Sequence, residues 1–153
     1  MKKTEELIKK SKGLEIKISS YSEFSEFTNE KIDMYKKGGL LPNECRTNSQ
    51  SVARFLRGNS LVIEGIVITP ELLCFEHMWV KKDNIHIDLS LEIFGTFSKK
   101  NRYFELNSYD SKEYAFPNEL SFSEITNPVI DQFYKEHTKL KNEYLKLKNA
   151  LNN

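Results

Sequence analysis

Three apolar, β-branched runs follow one another through the middle of the chain and constrain its fold more than any other feature. Leu61 to Thr69 is rich in Val and Ile and is closed by Pro70, while Leu72 to Lys81 and Ile85 to Leu91 are joined through Asp83-Asn84. Runs of this kind bounded by turn residues read as strands, and Asp-Asn is a short hairpin turn. If those two residues form the turn, Lys82 opposes Ile85, Val80 opposes Ile87, Trp79 opposes Asp88 and His77 opposes Ser90. Side chains alternate along a strand, so Phe75, His77 and Trp79 share one face while Cys74, Glu76 and Met78 take the other. Directly opposed residues share a face. His77 and Asp88 are therefore expected on the same side as diagonal neighbours. A four-residue loop keeps this parity and a three-residue loop breaks it.

Helices are expected on either side of these strands. Lys2 to Lys10 reads as a short helix and Leu14 to Ile18 as a strand. Ser22 to Lys37 looks helical and ends at Gly38-Gly39. Pro42 forces an extended turn before Cys45, and Glu44 to Arg57 is helical, with Val52, Ala53, Phe55 and Leu56 as its apolar face and Gly58-Asn59 as its stop. Arg102 to Leu106 reads as a further strand and Asn107 to Asn127 as mostly irregular, with Ser108 to Asn127 (Tyr109, Tyr114, Phe116) a candidate wall or lid. From Val129 to Leu151 the residues Ile130, Phe133, His137, Leu140, Tyr144, Leu147 and Leu151 form one helical seam. Such a seam packs on its own domain or serves a partner or dimer, and His137 within it reads as a packed histidine. These elements imply one α+β domain over 1–153, with a core of about 42–106 and a long C-terminal helix of about 128–151.

Composition narrows the function classes. The chain has 23 Lys+Arg against 22 Asp+Glu, a formal net charge of +1, so no large field favours nucleic acid or an anionic membrane. No run approaches the roughly 20 apolar residues of a membrane span, and no apolar segment follows the charged N-terminus as in a secretory signal. Two cysteines, Cys45 and Cys74, are too few for a disulfide scaffold, which places the chain in a reducing cytoplasm with a thiol free for chemistry. Its richness in Lys, Asn and Ile suggests an AT-rich genome, bacterial or phage.

Cys45 is the candidate nucleophile. A thiol at a helix start gains from the helix dipole, and the free backbone N–H groups there are placed to hold a developing oxyanion. His77 facing it from a sheet would be the base, and Asp88, between Ile87 and Leu89, would orient the imidazole. Cys45 leading a helix with Asn48-Ser49 just after it, then Val62-Ile63-Glu64-Gly65-Ile66, His77-Met78-Trp79-Val80 and Ile87-Asp88-Leu89-Ser90, resembles the core of bacterial transglutaminase-like proteins. The resemblance covers about Pro42 to Leu91. It implies a papain-related α+β fold, a Cys45–His77–Asp88 triad and thiol chemistry on an amide or acyl group, whether hydrolysis, deamidation or acyl transfer. No cofactor is implied, and the expected partners are a protein, peptide or small amide or acyl substrate.

Other residues carry weaker expectations. Asn43 is a candidate oxyanion donor against a plain turn role, Asn48 is a weaker one, and Trp79 is either a groove wall or a core residue. Glu64 and Glu76 either line a pocket or face solvent, the latter favoured. Cys74-x-x-His77 with His86 and Asp88 has zinc-like spacing, but positions i and i+3 of a strand point to opposite faces, so no metal is expected there. Cys74 then reads as a core thiol and His86 as a surface histidine near the turn. The rival from another class is a non-catalytic interaction protein that binds its partner through the C-terminal helix.

Overall fold

The computed structural model describes residues 1–95, 99–110 and 119–152, without the side chains of 119–121, 140, 141 and 144. It is α+β: a six-stranded mixed sheet with helices packed on it, a long C-terminal helix among them. In chain order the elements are α1 (Lys2–Lys10), β1 (Leu14–Ile16), β2 (Ile18–Ser19), α2 (Asn29–Met34), α3 (Cys45–Leu56), β3 (Leu61–Ile68), β4 (Cys74–Lys82), β5 (Ile85–Ile87), α4 (Leu89–Phe94), β6 (Arg102–Asp110) and α5 (Glu119–Asn152). No helix among the described residues is long and apolar enough to cross a membrane.

The sheet order is β1-β6-β3-β4-β5-β2, so the two edge strands are neighbours in the chain, separated only by Lys17. Two peptide units span at most about 7 Å, so the sheet has to curl until its edges nearly meet. The apolar run expected as one strand from Leu14 to Ile18 is thereby split: its first part pairs with β6 and its second with β5. Curling makes an inner face of Ile18, Ile63, Val67, Trp79 and Tyr103. The outer face carries α3 on Val62, Met78, Val80 and Ile87, and carries α1 and α5 on Ile66, Ile68, Cys74 and Phe104. Gly65 sits between these layers. A Cβ there would collide with the Phe104 carbonyl and the Trp79 indole, so only glycine fits.

The central hairpin follows the alternation. Val80 pairs with Ile87, Lys81 with His86 and Lys82 with Ile85, around a turn whose Asp83 and Asn84 both have positive φ (51° and 63°). That is the type I′ geometry that a right-twisted hairpin favours. The strand ends sooner than the Ile85–Leu91 run suggests. Asp88 accepts the Leu91 N–H at 3.2 Å and caps α4 instead of continuing β5.

Two further expectations are corrected. Ser22 to Lys37 is not one helix: a 3₁₀ turn at Tyr21–Glu23 precedes α2, whose start is capped by Thr28 Oγ1 accepting the Lys31 N–H at 3.2 Å. Residues 107–110 continue β6 and helix begins at Glu119 rather than after Pro128, so the expected irregular stretch is largely regular; Tyr114 and Phe116 lie outside the described residues. The α5 seam is buried only in its first half. Val129 and Phe133 are buried and His137 stacks on Phe133, whereas Leu147 and Leu151 are 66% and 87% exposed.

Candidate active site

The site is built where β5 stops. Pairing between β4 and β5 ends at Val80–Ile87, which leaves this edge of β4 from Cys74 to Trp79 without a partner strand among the described residues. The chain enters α4 at that point, and the N-terminus of α3 comes in beside it. A cavity of about 360 Å³ opens there, lined by Cys45, Phe75, Glu76, His77, Leu91 and Phe94 together with Pro42, Asn43, Ser90 and Gly95.

His77 and Asp88 meet inside the curl, as the hairpin parity requires. The Asp88 Oδ2 lies 2.9 Å from His77 Nε2, and the two residues are 1% and 6% exposed. A buried carboxylate needs partners, and Asp88 has three: His77 and the Tyr103 hydroxyl, which donates at 2.7 Å, on Oδ2, and the Leu91 N–H on Oδ1. Phase along β6 puts Tyr103 on the inner face, but its pairing with Asp88 is a contact between distant strands that no local pattern signals. Phe75 packs edge-on to the imidazole, with centroids 5.7 Å apart.

With Nε2 turned to Asp88, the Nδ1 side of the ring is left for the pocket. Burial lowers the proton affinity of His77. The Asp88 charge and hydrogen bond, and after them a hydrogen bond and charge from Cys45, outweigh burial, so its pKa is raised above the ordinary imidazole value. Cys45 is a free, half-buried thiol at the first position of α3. The preceding residue, Glu44, makes no side-chain cap, so the leading N–H groups of the helix keep their donor capacity.

Two asparagines expected near the nucleophile have distinct places. Asn48 is 3% exposed and does not line the cavity: its Oδ1 accepts the Leu41 N–H at 3.1 Å, and its Nδ2 donates to the Leu41 carbonyl at 2.7 Å and to Ser90 Oγ at 3.1 Å. It clamps the loop before Cys45 to α4, so it positions the helix and has no amide hydrogen left for an oxyanion. Asn43 lines the cavity but also takes φ 62° in the turn, a left-handed conformation that asparagine tolerates.

Trp79 is a core residue, 1% exposed, not a groove wall. Its Nε1–H donates to His86 Nδ1 at 2.9 Å, which puts the His86 proton on Nε2. His86 is correspondingly buried, not a surface histidine, and burial with the nearby Lys81 charge lowers its pKa to about 4. Cys74 is buried on the outer face and its thiol is pushed up to about 12 by burial. Among the described residues no three His, Cys, Asp or Glu side chains cluster as metal ligands would. Glu64, expected at the surface, is fully buried and accepts from the Tyr109 hydroxyl at 3.2 Å. Glu76 lines the cavity.

No protein-family model matches the chain, and no curated protein or solved structure matches it significantly. The functional reading therefore rests on the geometry of the site.

Proposed function

We propose that the protein is a cysteine-dependent hydrolase or acyltransferase acting on an amide or related acyl bond, on a papain-related, transglutaminase-like core. Cys45 is the nucleophile, His77 the general base and acid, and Asp88 the orienting carboxylate. The observation that carries the reading is the buried Asp88–His77 pair at 2.9 Å whose imidazole opens onto the cavity holding Cys45. In the reaction the Cys45 sulfur attacks the carbonyl carbon while its proton resides on His77. The oxygen gains the negative charge beside the uncapped N–H groups of α3. As the carbonyl re-forms, the C–N bond breaks and His77 gives its proton to the leaving amine. Water or an amine, deprotonated by His77, then attacks the thioester and releases the acyl group and the Cys45 thiol.

The test is the alkylation rate of Cys45 by iodoacetamide at pH 7, with Cys74→Ala in every protein. His77→Ala and Asp88→Asn should each slow it by about tenfold or more, because the base and its orienter set the supply of thiolate. Equal rates in all three would refute the triad.

A second reading is kept by the exposed end of α5. Leu147 and Leu151 are bare, and Leu145 is 45% exposed, which suits a partner helix or a second copy of the chain. Sedimentation of the intact protein at micromolar concentration decides whether that face self-associates; a monomer throughout would remove the dimer.

A further inference from the structure

Behind the triad, the inner face of the sheet holds a buried amide that the proposed chemistry does not use. Asn101 immediately precedes β6, and two-residue alternation puts it on the same face as Tyr103, inside the curl. The two residues are 7% and 0% exposed. Asn101 Nδ2 is sealed from solvent and makes no well-formed hydrogen bond among the described residues. A buried donor left in that state requires a physical reason.

The Tyr103 phenol supplies one. Burial, the Asp88 charge and the hydrogen bond to Asp88 raise its pKa, whereas Asn101 acts against them. An acceptor would add to the rise, so the N–H side of the amide faces the phenol oxygen, at a geometry short of a full hydrogen bond. The hydroxyl hydrogen itself goes to Asp88 Oδ2 at 2.7 Å. A second carboxylate, Glu92, also bears on the phenol, with its own oxygens held by the Ser20 hydroxyl and the Tyr21 N–H at 2.8 Å each. A phenol hydrogen turns freely about its C–O bond. An N–H placed at the oxygen repels that hydrogen and commits it to a carboxylate, and the short contact makes that carboxylate Asp88.

We propose that Asn101 is a positioning residue of the thiol site: its amide N–H, at the phenol oxygen, commits the Tyr103 hydroxyl to Asp88 and so fixes the carboxylate that orients His77. The proposal rests on the thiol-enzyme reading and extends it into a polar network that runs from the start of β6 to the cavity of Cys45. Asn101 gives a hydrogen to Tyr103, and Tyr103 gives its own to Asp88, which can only accept.

The experiment follows iodoacetamide alkylation of Cys45 between about pH 7 and 9.5, with Cys74→Ala in every protein. Asn101→Leu keeps the branched shape of the amide and removes its hydrogens. The net worth of one hydrogen bond corresponds to a few-fold in rate, so the variant should react about threefold more slowly at pH 7. The deficit should fade as pH rises past the ordinary thiol pKa of about 8.5, where the thiolate forms without help from His77. It should also be absent in the Tyr103→Phe background, because Asn101 then has no hydroxyl to direct. Asn101→Ala, which cannot overpack the site, is measured beside it and should behave in the same way.

A slowing that is equal at every pH, or that persists in Tyr103→Phe, would make Asn101 a packing residue and overturn the proposal. Rates unchanged by either Asn101 variant while His77→Ala still slows the reaction would also overturn it, and would leave the triad standing. Rates indifferent to His77 would sink the triad and, with it, this network.

Discussion

Asp88→Asn separates a working imidazole–carboxylate pair from a merely packed histidine. The amide keeps the shape of the carboxylate, and asparagine caps helices as well as aspartate does, so the Leu91 N–H keeps its acceptor. What goes is the charge facing His77. In the wild type that charge outweighs burial and holds the folded pKa of His77 above the unfolded value of about 6.5. A histidine raised in this way contributes stability that is fully present below about pH 6.5 and is lost as pH rises through the folded value. In the variant burial acts alone, the folded value drops below about 6.5, and the sign reverses: the histidine then costs stability only as pH falls. Removing one side of a buried charged pair costs about 3–5 kcal/mol, which should be seen near pH 6. One pKa unit corresponds to about 1.4 kcal/mol, so the cost should shrink by up to about 2 kcal/mol by pH 8. Guanidinium unfolding of both proteins at half-unit steps between pH 6 and 8 measures this difference. The contribution of His86 is common to both and cancels. A cost that is constant or that grows with pH would refute the argument.

The remaining predictions address the surroundings of the pair. Tyr103→Phe removes the hydroxyl that donates to Asp88 and should cost about 1.5–3 kcal/mol in denaturant unfolding while slowing Cys45 alkylation; no change in either would take Tyr103 out of the network. Gly65→Ala places a methyl against the Phe104 carbonyl and the Trp79 ring and should destabilise by about 3 kcal/mol, read as a lower thermal midpoint. His86 is buried with a depressed pKa of about 4, so its contribution is full above about pH 6.5 and is lost as pH falls towards 4. His86→Gln, which retains an acceptor for the Trp79 N–H, should flatten the stability profile over that window; an equal acid loss in the variant would place its origin elsewhere.

Local periodicity carried the reading where the relevant contact lies across one tight turn. The Asp83-Asn84 turn and period-two alternation are enough to place His77 and Asp88 on one face, because both are counted from the same turn. The same counting misses where β5 ends. Asp88 is compatible with a strand by pattern, and its capping of α4 depends on the Leu91 N–H, a backbone group that the alternation does not report. Tyr103 and Asn48 were illegible for a different reason. Tyr103 reaches Asp88 from a strand beyond β3 and β4, and Asn48 bonds a loop seven residues back and a helix 42 residues ahead. The burial of Glu64 and His86 likewise follows from what the curled sheet and α3 lay over them, and the curl itself comes from a one-residue switch at Lys17 within an otherwise unremarkable alternating run.

The early end of β5 also explains how Glu76 and His77 come to line one cavity. Consecutive residues of a strand point to opposite faces, so inside a fully paired sheet they serve different layers. Only at a bare strand edge can both reach the same space, one around each side of the backbone. Beyond Val80 that edge of β4 is bare because the chain turns into α4 at Asp88. Asp88 therefore acts three times over: its Oδ1 ends the strand by capping a helix, the ended strand opens the edge onto which Cys45 is delivered, and its Oδ2 holds the buried histidine that lines the cavity there. Asparagine can perform the first of these but brings no charge to His77. Asp88→Asn should thus retain the packing of the site, read as an unchanged near-ultraviolet circular dichroism spectrum, while slowing the alkylation of Cys45 by iodoacetamide. Loss of the spectrum together with the rate would mean that the carboxylate shapes the site rather than tuning its histidine.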